Sequence, residues 1–331
     1  MKSIERWRHA GRQSVVAISL TLAAESAVTA QAFPSKSVEF VVHSGAGGGP
    51  DQFARIVSDV ITRDKLLSQP VVVTNRTGGG GSIAFNFIKS KHGDPHFVLG
   101  IGTGTLLTIA SRTDLDLGLE NYTPLAFFGL DAQVVAVAVN SKFISVKELI
   151  EAGRREPNQY AASLASANGF GRQVLYLMER DAGARFKFVP FKSGVDAALA
   201  VAGGHVLFTT ENISETQALV EAKKIKLLAT SGNKRAAFAP DVPTLKEAGY
   251  PIVLGTGRGF AMPAGVPKEA AAAMEAVLRR VHDSAAWKEF VARNAYEDVY
   301  MNGAEFAAHL ARSREEMAQF LIAIGVSQIR K

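Results

Sequence analysis

The chain has 331 residues, 47% of them hydrophobic and 21% charged, with a formal net charge of +6. That length and balance predict a globular protein of two domains. The absence of cysteine excludes disulfides, thiolate metal sites, cysteine nucleophiles and a lipid-anchored cysteine. The positive charge is mild and dispersed, with no basic run or aromatic-interleaved patch. It therefore suits an anionic small ligand and not a nucleic acid.

Residues 1–32 predict a secretory signal peptide. Lys2, Arg6, Arg8 and Arg12 form a positive start, residues 15–24 a mostly apolar stretch too short to span a membrane, and Ala30-Gln31-Ala32 a small-x-small cleavage site. No arginine pair is present, which favours the ordinary secretory route. Cleavage before Phe33 lowers the net charge from +6 to +4.

Beyond Phe33, short apolar runs alternate with helix-like segments. Residues 38–42 predict a buried strand. Residues 50–63 predict a helix with Phe53, Ile56, Val57, Val60 and Ile61 on one face and Pro50 in the first turn, where its missing N–H costs nothing. Strands follow at 70–75, 97–101 and 134–139, with a short helix at 83–91. Ser145/Glu148, Ser193/Asp196, Ser214/Gln217 and Thr244/Glu247 fit or approximate capping boxes and mark helix starts. Further strands are expected at 160–162, 187–191, 205–209, 225–230 and 252–256, and helices at 267–284 and 304–324. The last helix has Phe306, Leu310, Met317 and Leu321 as its apolar side. This alternation predicts an α/β fold with largely parallel sheets. Long Pro/Gly linkers are absent, so strand-like crossings should join the domains.

Glycine-rich loops supply the candidate site. The first holds Gly45, Gly47, Gly48 and Gly49, after a strand and before a helix, where α/β sheets bind ligands and free N–H groups attract anions. Read from Gly45, the string G-A-G-G-G-P places Pro50 where a dinucleotide fingerprint needs its third glycine. No lysine is present for a phosphate loop. What remains is a generic anion cradle, or a tight turn without a ligand. The second loop, "NRTGGGGS", holds Gly79 and Gly80; the third, "GIGTGT", holds Thr103 and Thr105. In the second half, Ser166, Asn168 and Gly169 lie in one loop and Ser193 in another, each before a helix; ordinary capping also accounts for them. Chemistry is poorly represented. His92 and His96 are separated by Gly93 and Pro95, and neither H-E-x-x-H nor G-x-S-x-G occurs. Asp51 suits the helix dipole; as a general base it has no visible partner.

Taken together, the motif order resembles the solute-binding receptors of the tripartite tricarboxylate transporter family, the Bug-type periplasmic receptors. The likeness runs over essentially the whole chain after residue 32. "VVHSGAGGGPDQFAR" carries Gly47, Gly48, Asp51, Ala54 and Arg55; "VVVTNRTGGGGS" carries Asn75, Arg76, Gly78, Gly80 and Gly81. "YTPLA", "VPFKSG", "IKLLATSGNKR" with "PDVPTLKEAGY", and "RGFAMPAGVPKE" complete the series. His43-Ser44 departs from the family's proline and small or aromatic residue. "LASANGFGRQ" blurs its Ser-x-Gly-x-Gly-Ser loop, with Arg172 where a hydroxyl often sits. "EAKKIKLLATS" and "LGTGRGF" look closer to the tricarboxylate branch than to amino-acid-binding members.

The resemblance implies a two-domain periplasmic-binding-protein fold, type II-like, with the ligand cleft between the domains. Domain one would hold residues 33–132 and 253–331, domain two residues 133–252. It implies a monomeric, non-enzymatic periplasmic receptor without metal or cofactor. Such a receptor closes over a small di- or tricarboxylate and passes it to a membrane permease. Gly47, Gly48, Gly49 and the following helix, including Asp51, would hold one ligand carboxylate, with Gly79, Gly80, Thr103 and Thr105 beside them. Ser166, Asn168, Gly169 and Ser193 would close the far side, and Arg172, Lys192 or Arg258 would neutralise further charge. Two other readings stand: a sensor that engages a membrane partner, and an exported hydrolase or isomerase using Asp51 or a histidine as base.

Overall fold

A computed structural model describes residues 33–293 and 296–330. The expected signal peptide lies outside the described residues.

In chain order the first elements are β1 (Val38–Val42), α1 (Gly49–Arg63), β2 (Val71–Asn75), α2 (Ser82–Lys89), β3 (Phe97–Gly102), α3 (Thr103–Ala110) and β4 (Tyr122–Ala132). Next come β5 (Val134–Ala138), α4 (Val146–Arg155), β6 (Ala161–Leu164), α5 (Phe170–Ala182), β7 (Lys187–Pro190), α6 (Gly194–Ala202), β8 (Phe208–Thr209), α7 (Ile213–Glu221) and β9 (Ile225–Thr230). The chain ends with β10 (Gly255–Pro263), α8 (Lys268–His282), α9 (Ala285–Arg293), β11 (Glu297–Asn302) and α10 (Gly303–Ala323).

The strands form two sheets, ordered β11-β4-β10-β3-β1-β2 and β7-β6-β8-β5-β9. Each carries apolar clusters on its faces. In the first sheet, Phe40, Phe53, Phe260 and Trp287 belong to one cluster, and Val41, Leu99, Phe127 and Phe306 to another. In the second, Val135, Leu149, Leu164 and Phe208 belong to one cluster, and Val134, Ala136 and Ile213 to another. Burial on both faces explains why Phe40, Val41 and Val42 are consecutive apolar residues in β1 and do not alternate with polar ones.

The pairing is mixed, which corrects the expectation of largely parallel sheets. β1 runs parallel to β2 and β3, but β10 is antiparallel to both β3 and β4, and β11 is antiparallel to β4. β5 is antiparallel to β8 and β9, whereas β6 is parallel to β7 and β8. The reversal follows from the route of the chain. It passes from the first sheet into the second through Gln133 alone, between β4 and β5, and returns over residues 231–254 into β10. A strand expected at 252–256 therefore begins later and runs longer, over Gly255–Pro263.

Candidate functional site

A cavity of about 900 Å³ lies between the two sheets. On one side it is lined by residues 43–48 ahead of α1, by Thr77, Gly78, Gly80 and Gly81 ahead of α2, and by Gly102, Gly104 and Thr105 at the start of α3. Facing them are Ala165, Ser166 and Gly169–Gly171 at α5, Lys192–Asp196 at α6, and Glu211, Asn212 and Glu215 at α7. Gln133, Thr256 and Arg258 supply the floor from the crossing strands. Six helices thus begin at one cavity, each bringing the positive end of its dipole. Gly78, Gly79, Gly80 and Gly81 all have positive φ, between 58° and 112°. Side chains rarely adopt that conformation, so the second loop requires glycine.

Of the residues expected at the site, Gly47, Gly48, Gly80, Thr105, Ser166, Gly169, Lys192, Ser193 and Arg258 line the cavity. Gly49, Asp51, Gly79, Thr103, Asn168 and Arg172 are not part of the lining, and the structure shows what engages several of them. Thr103 is buried and its hydroxyl accepts from the Gly257 N–H at 2.8 Å, tying α3 to β10. The Asn168 carbonyl accepts from Thr108 Oγ1 across the cleft at 3.0 Å. Arg172 pairs with Glu179 on its own helix at 3.2 Å and lies over the Phe188 ring. Gly79 is exposed beside the cavity.

Asp51 is buried and accepts from Gly47 N–H at 2.9 Å, Arg55 Nε at 3.0 Å and Asn75 Nδ2 at 2.8 Å. Desolvation raises its pKa, but these donors outweigh it and hold the carboxyl below its usual range. Asp51 is therefore an ionised brace for the loop, wired to the second loop through Asn75.

The expected cradle donors are occupied by the chain itself. Gly47 N–H goes to Asp51 and Gly48 N–H to the Gly45 carbonyl. Gly49 N–H, together with Gly194 N–H from the opposite wall, goes to the carboxyl of Glu215. The cavity floor explains the bareness of Gly49. A Cβ there would lie 2.2 Å from Arg258 Nη2. Arg258 is buried and binds Asp131 Oδ2 at 2.6 Å, and Asp131 also accepts from Ser214 Oγ at 2.6 Å.

These buried groups shift one another. Burial opposes the Arg258 charge, but Tyr296, Asp131 and Glu215 more than offset it and hold its pKa up. His43 goes the other way: burial and the Arg258 charge lower it to about 4, so its ring is neutral near pH 7. Burial raises Glu211 and Glu215, and repulsion from each other or from Asp131 adds to it. His43 Nε2, Ser44 Oγ and Gln133 Oε1 are buried without a partner among the described residues.

Glu211, Glu215, Asp131 and Gln133 were not anticipated. Glu211 precedes the cap residue Asn212 and lies outside α7, so no helical spacing in the sequence linked it to Glu215. The Ser214/Gln217 cap is also corrected. Asn212 is the residue before α7, which frees Ser214 to bind Asp131.

Over residues 53–325 the chain matches the tripartite tricarboxylate transporter family receptor. It belongs to that family. It is 25% identical to the "UPF0065 protein in gbd 5'region" of Cupriavidus necator, covering 97% of this chain and 98% of that one. It is 27% identical to protein BugT of Bordetella pertussis, over 72% and 74% of the two chains. Among solved structures, MatC of Rhodopseudomonas palustris with bound malate superposes with a TM-score of 0.78 at 21% identity, over 87% of this chain and all of that one. An R. palustris protein with adipate reaches 0.82 at 21% identity, over 88% and 98%. These structures share the fold.

Proposed function

We propose that the protein is a periplasmic receptor that captures a small organic carboxylate in the cleft between its two sheets. It would deliver that ligand to a membrane permease of a tripartite tricarboxylate-type transporter. The observation that carries this reading is the cavity of about 900 Å³ on which six helix N-termini converge, three from each side. Membership of the receptor family and the malate and adipate held by two proteins of the same fold support it. Residues 33–132 with 253–331 and residues 133–252 act as the two closing domains. Gly80, Thr105, Ser166, Gly169, Lys192, Ser193 and Arg258 bound the ligand space.

In this reading the site binds without making or breaking bonds, and the chain works as a monomer. The bracing of Asp51 by Gly47, Arg55 and Asn75 supports it, since that carboxylate faces the loop and is held ionised. Calorimetric titration with malate, adipate, succinate, citrate and amino-bearing dicarboxylates tests the reading. Binding of at least one is expected; a folded protein that binds none overturns it.

A further inference from the structure

Beside the large cavity lies a second one, of about 170 Å³. Phe170 lines both, with its ring against Gly104. The start of α3 divides in the same way. Gly104 and Thr105 line the large cavity, Thr103 and Leu107 the small one. The other walls come from separate parts of the fold. α10 brings His309, Ser313, Glu316 and Met317, which share one helix face. α5 brings Phe170 and Gln173, about one turn before the point where Tyr176 meets Phe320 of α10. The crossings bring Ala132, Ser231 and residues 253–255, and Glu297 stands at the start of β11.

Several polar groups of this lining have no work inside the protein. Gln173 Oε1 is buried without a partner, and the side chains of Ser313 and Glu316 form no hydrogen bond or ion pair among the described residues. Thr103 and Ser231, by contrast, are engaged with backbone groups. Glu297 Oε1 accepts from Asn233 N–H at 2.6 Å. His309 lies edge-on to the Phe127 ring. Burial and the nearby Arg312 charge lower its pKa, so its ring is neutral near pH 7. Among the described residues the lining thus holds two carboxylates, Glu297 and Glu316, and no lysine or arginine.

These groups choose between ligand classes. An anion would meet two like charges. A purely apolar guest would leave Gln173 Oε1 buried and unpaired, at the cost of its desolvation. An ammonium group offers three donors, no acceptor and a positive charge, and its bonds to a carboxylate are of the strong, charge-assisted kind. Leu107, Leu130, Phe170 and Met317 supply an apolar wall for what the ammonium group carries. By liquid volume the space equals roughly five water molecules, enough for a short alkyl chain.

We propose that this cavity is a second binding site, for a small primary alkylammonium ion, with its head on Glu316 and Gln173 Oε1 and its chain against Leu107, Leu130 and Phe170. The site goes beyond the carboxylate-receptor reading and does not depend on what the large cavity holds.

Met317 is a reporter in the wall itself. Protein carrying carbon-13-methyl methionine is titrated in phosphate buffer at pH 7.5 with n-butylammonium, 1-butanol or butyrate, which share a short chain and differ in the head. Met317→Leu assigns the methyl signal. The expected result is a saturable shift of that signal by n-butylammonium, with affinity about tenfold or more above that of 1-butanol, and no shift by butyrate. Glu316 is exposed at the mouth, so Glu316→Gln should keep the fold and bring n-butylammonium down to the 1-butanol value. Gln173→Leu should weaken n-butylammonium without weakening 1-butanol. Equal or tighter binding of 1-butanol or butyrate, or n-butylammonium binding unchanged by Glu316→Gln, overturns the cation. A Met317 signal that none of the three moves overturns the site. Neither result touches the carboxylate receptor, whose own titrations decide it.

Discussion

Asp51 carries a charge in the first turn of α1, where dipole, loop and cavity all lie within reach, and its partners decide its role. Replacing it by Asn keeps the shape but removes the charge that Arg55 and the Gly47 N–H are paired with. Asp51→Asn should cost about 2–3 kcal/mol, the worth of a largely buried charged hydrogen-bond set, read by urea denaturation at pH 7. The buried acids give a pH signature. Glu211 has a folded pKa raised above its ordinary 4.5. Its contribution is thus fully present below about pH 4.5 and is lost as pH rises through the folded value. Glu211→Gln should therefore raise the melting temperature relative to wild type more at pH 8 than at pH 5. His43 has the opposite sign. Its folded pKa of about 4 lies below the ordinary 6.5, so stability falls as pH drops from 6.5 towards 4, by on the order of 3 kcal/mol. His43→Gln should flatten that slope in melts taken at half-unit intervals. Composition and motif spacing exposed the glycine loops and Arg258. They did not expose the acids, because Glu211 and Glu215 look like solvated helix-start residues until the opposite wall covers them.

Among the elements, those with a single clear cause were legible. β1 and β9 are mostly apolar and mostly buried runs, and α1 shows its buried face at helical spacing. β4 was missed because Pro124 and Gly129 interrupt its eleven residues; the sheet absorbs them at irregularities in its pairing. β10 was misplaced because Gly255, Gly257 and Gly259 dilute its pattern. Two of these glycines make room for neighbours: a Cβ on Gly257 would meet Phe127 at 2.4 Å, and one on Gly259 would meet Phe306 at 2.7 Å. The Thr244/Glu247 pair forms both capping bonds, yet it closes only a turn. The entry to α1 yields a matched prediction. Gly49→Ala drives a Cβ to 2.2 Å from Arg258 Nη2 and must dislodge the guanidinium, whereas Gly45→Ala meets nothing within 4 Å. Overpacking at Gly49 should cost about 1–3 kcal/mol and weaken ligand binding. Gly45→Ala should fall within about 0.5 kcal/mol of wild type. Parallel denaturation and calorimetry on the two variants check both.

Among the described residues, the two walls of the cavity meet at several points: Thr108 Oγ1 with the Asn168 carbonyl, Phe170 against Gly104, Tyr176 near Phe320, and Gly49 with Glu215. Opening the cleft must break these while the chain crossings hold. Ser231 sits where the crossings meet. Its Oγ accepts from Gln133 N–H at 2.9 Å and donates to the Leu254 carbonyl, while its own N–H binds the Gln133 carbonyl at 2.8 Å. The Ser231 hydroxyl and backbone thus tie the β4–β5 passage to the segment entering β10. Ser231→Ala removes the hydroxyl's two bonds and leaves the buried Gln133 N–H unpaired, at a cost of about 1–3 kcal/mol, while the backbone bonds from Ser231 N–H to Gln133 and from Leu254 N–H to Ser231 remain. If the closed arrangement is the one that binds, loosening the hinge lowers its population, and apparent affinity falls by the same factor. Wild type should gain about 2.7 kcal/mol of stability at a ligand concentration of 100 times Kd, and its radius of gyration in X-ray scattering should shrink on binding. Ser231→Ala should be wider without ligand and bind more weakly, yet return to the wild-type radius at saturation. Weaker binding with an unchanged ligand-free radius would place Ser231 in the stability of the crossing and not in its motion.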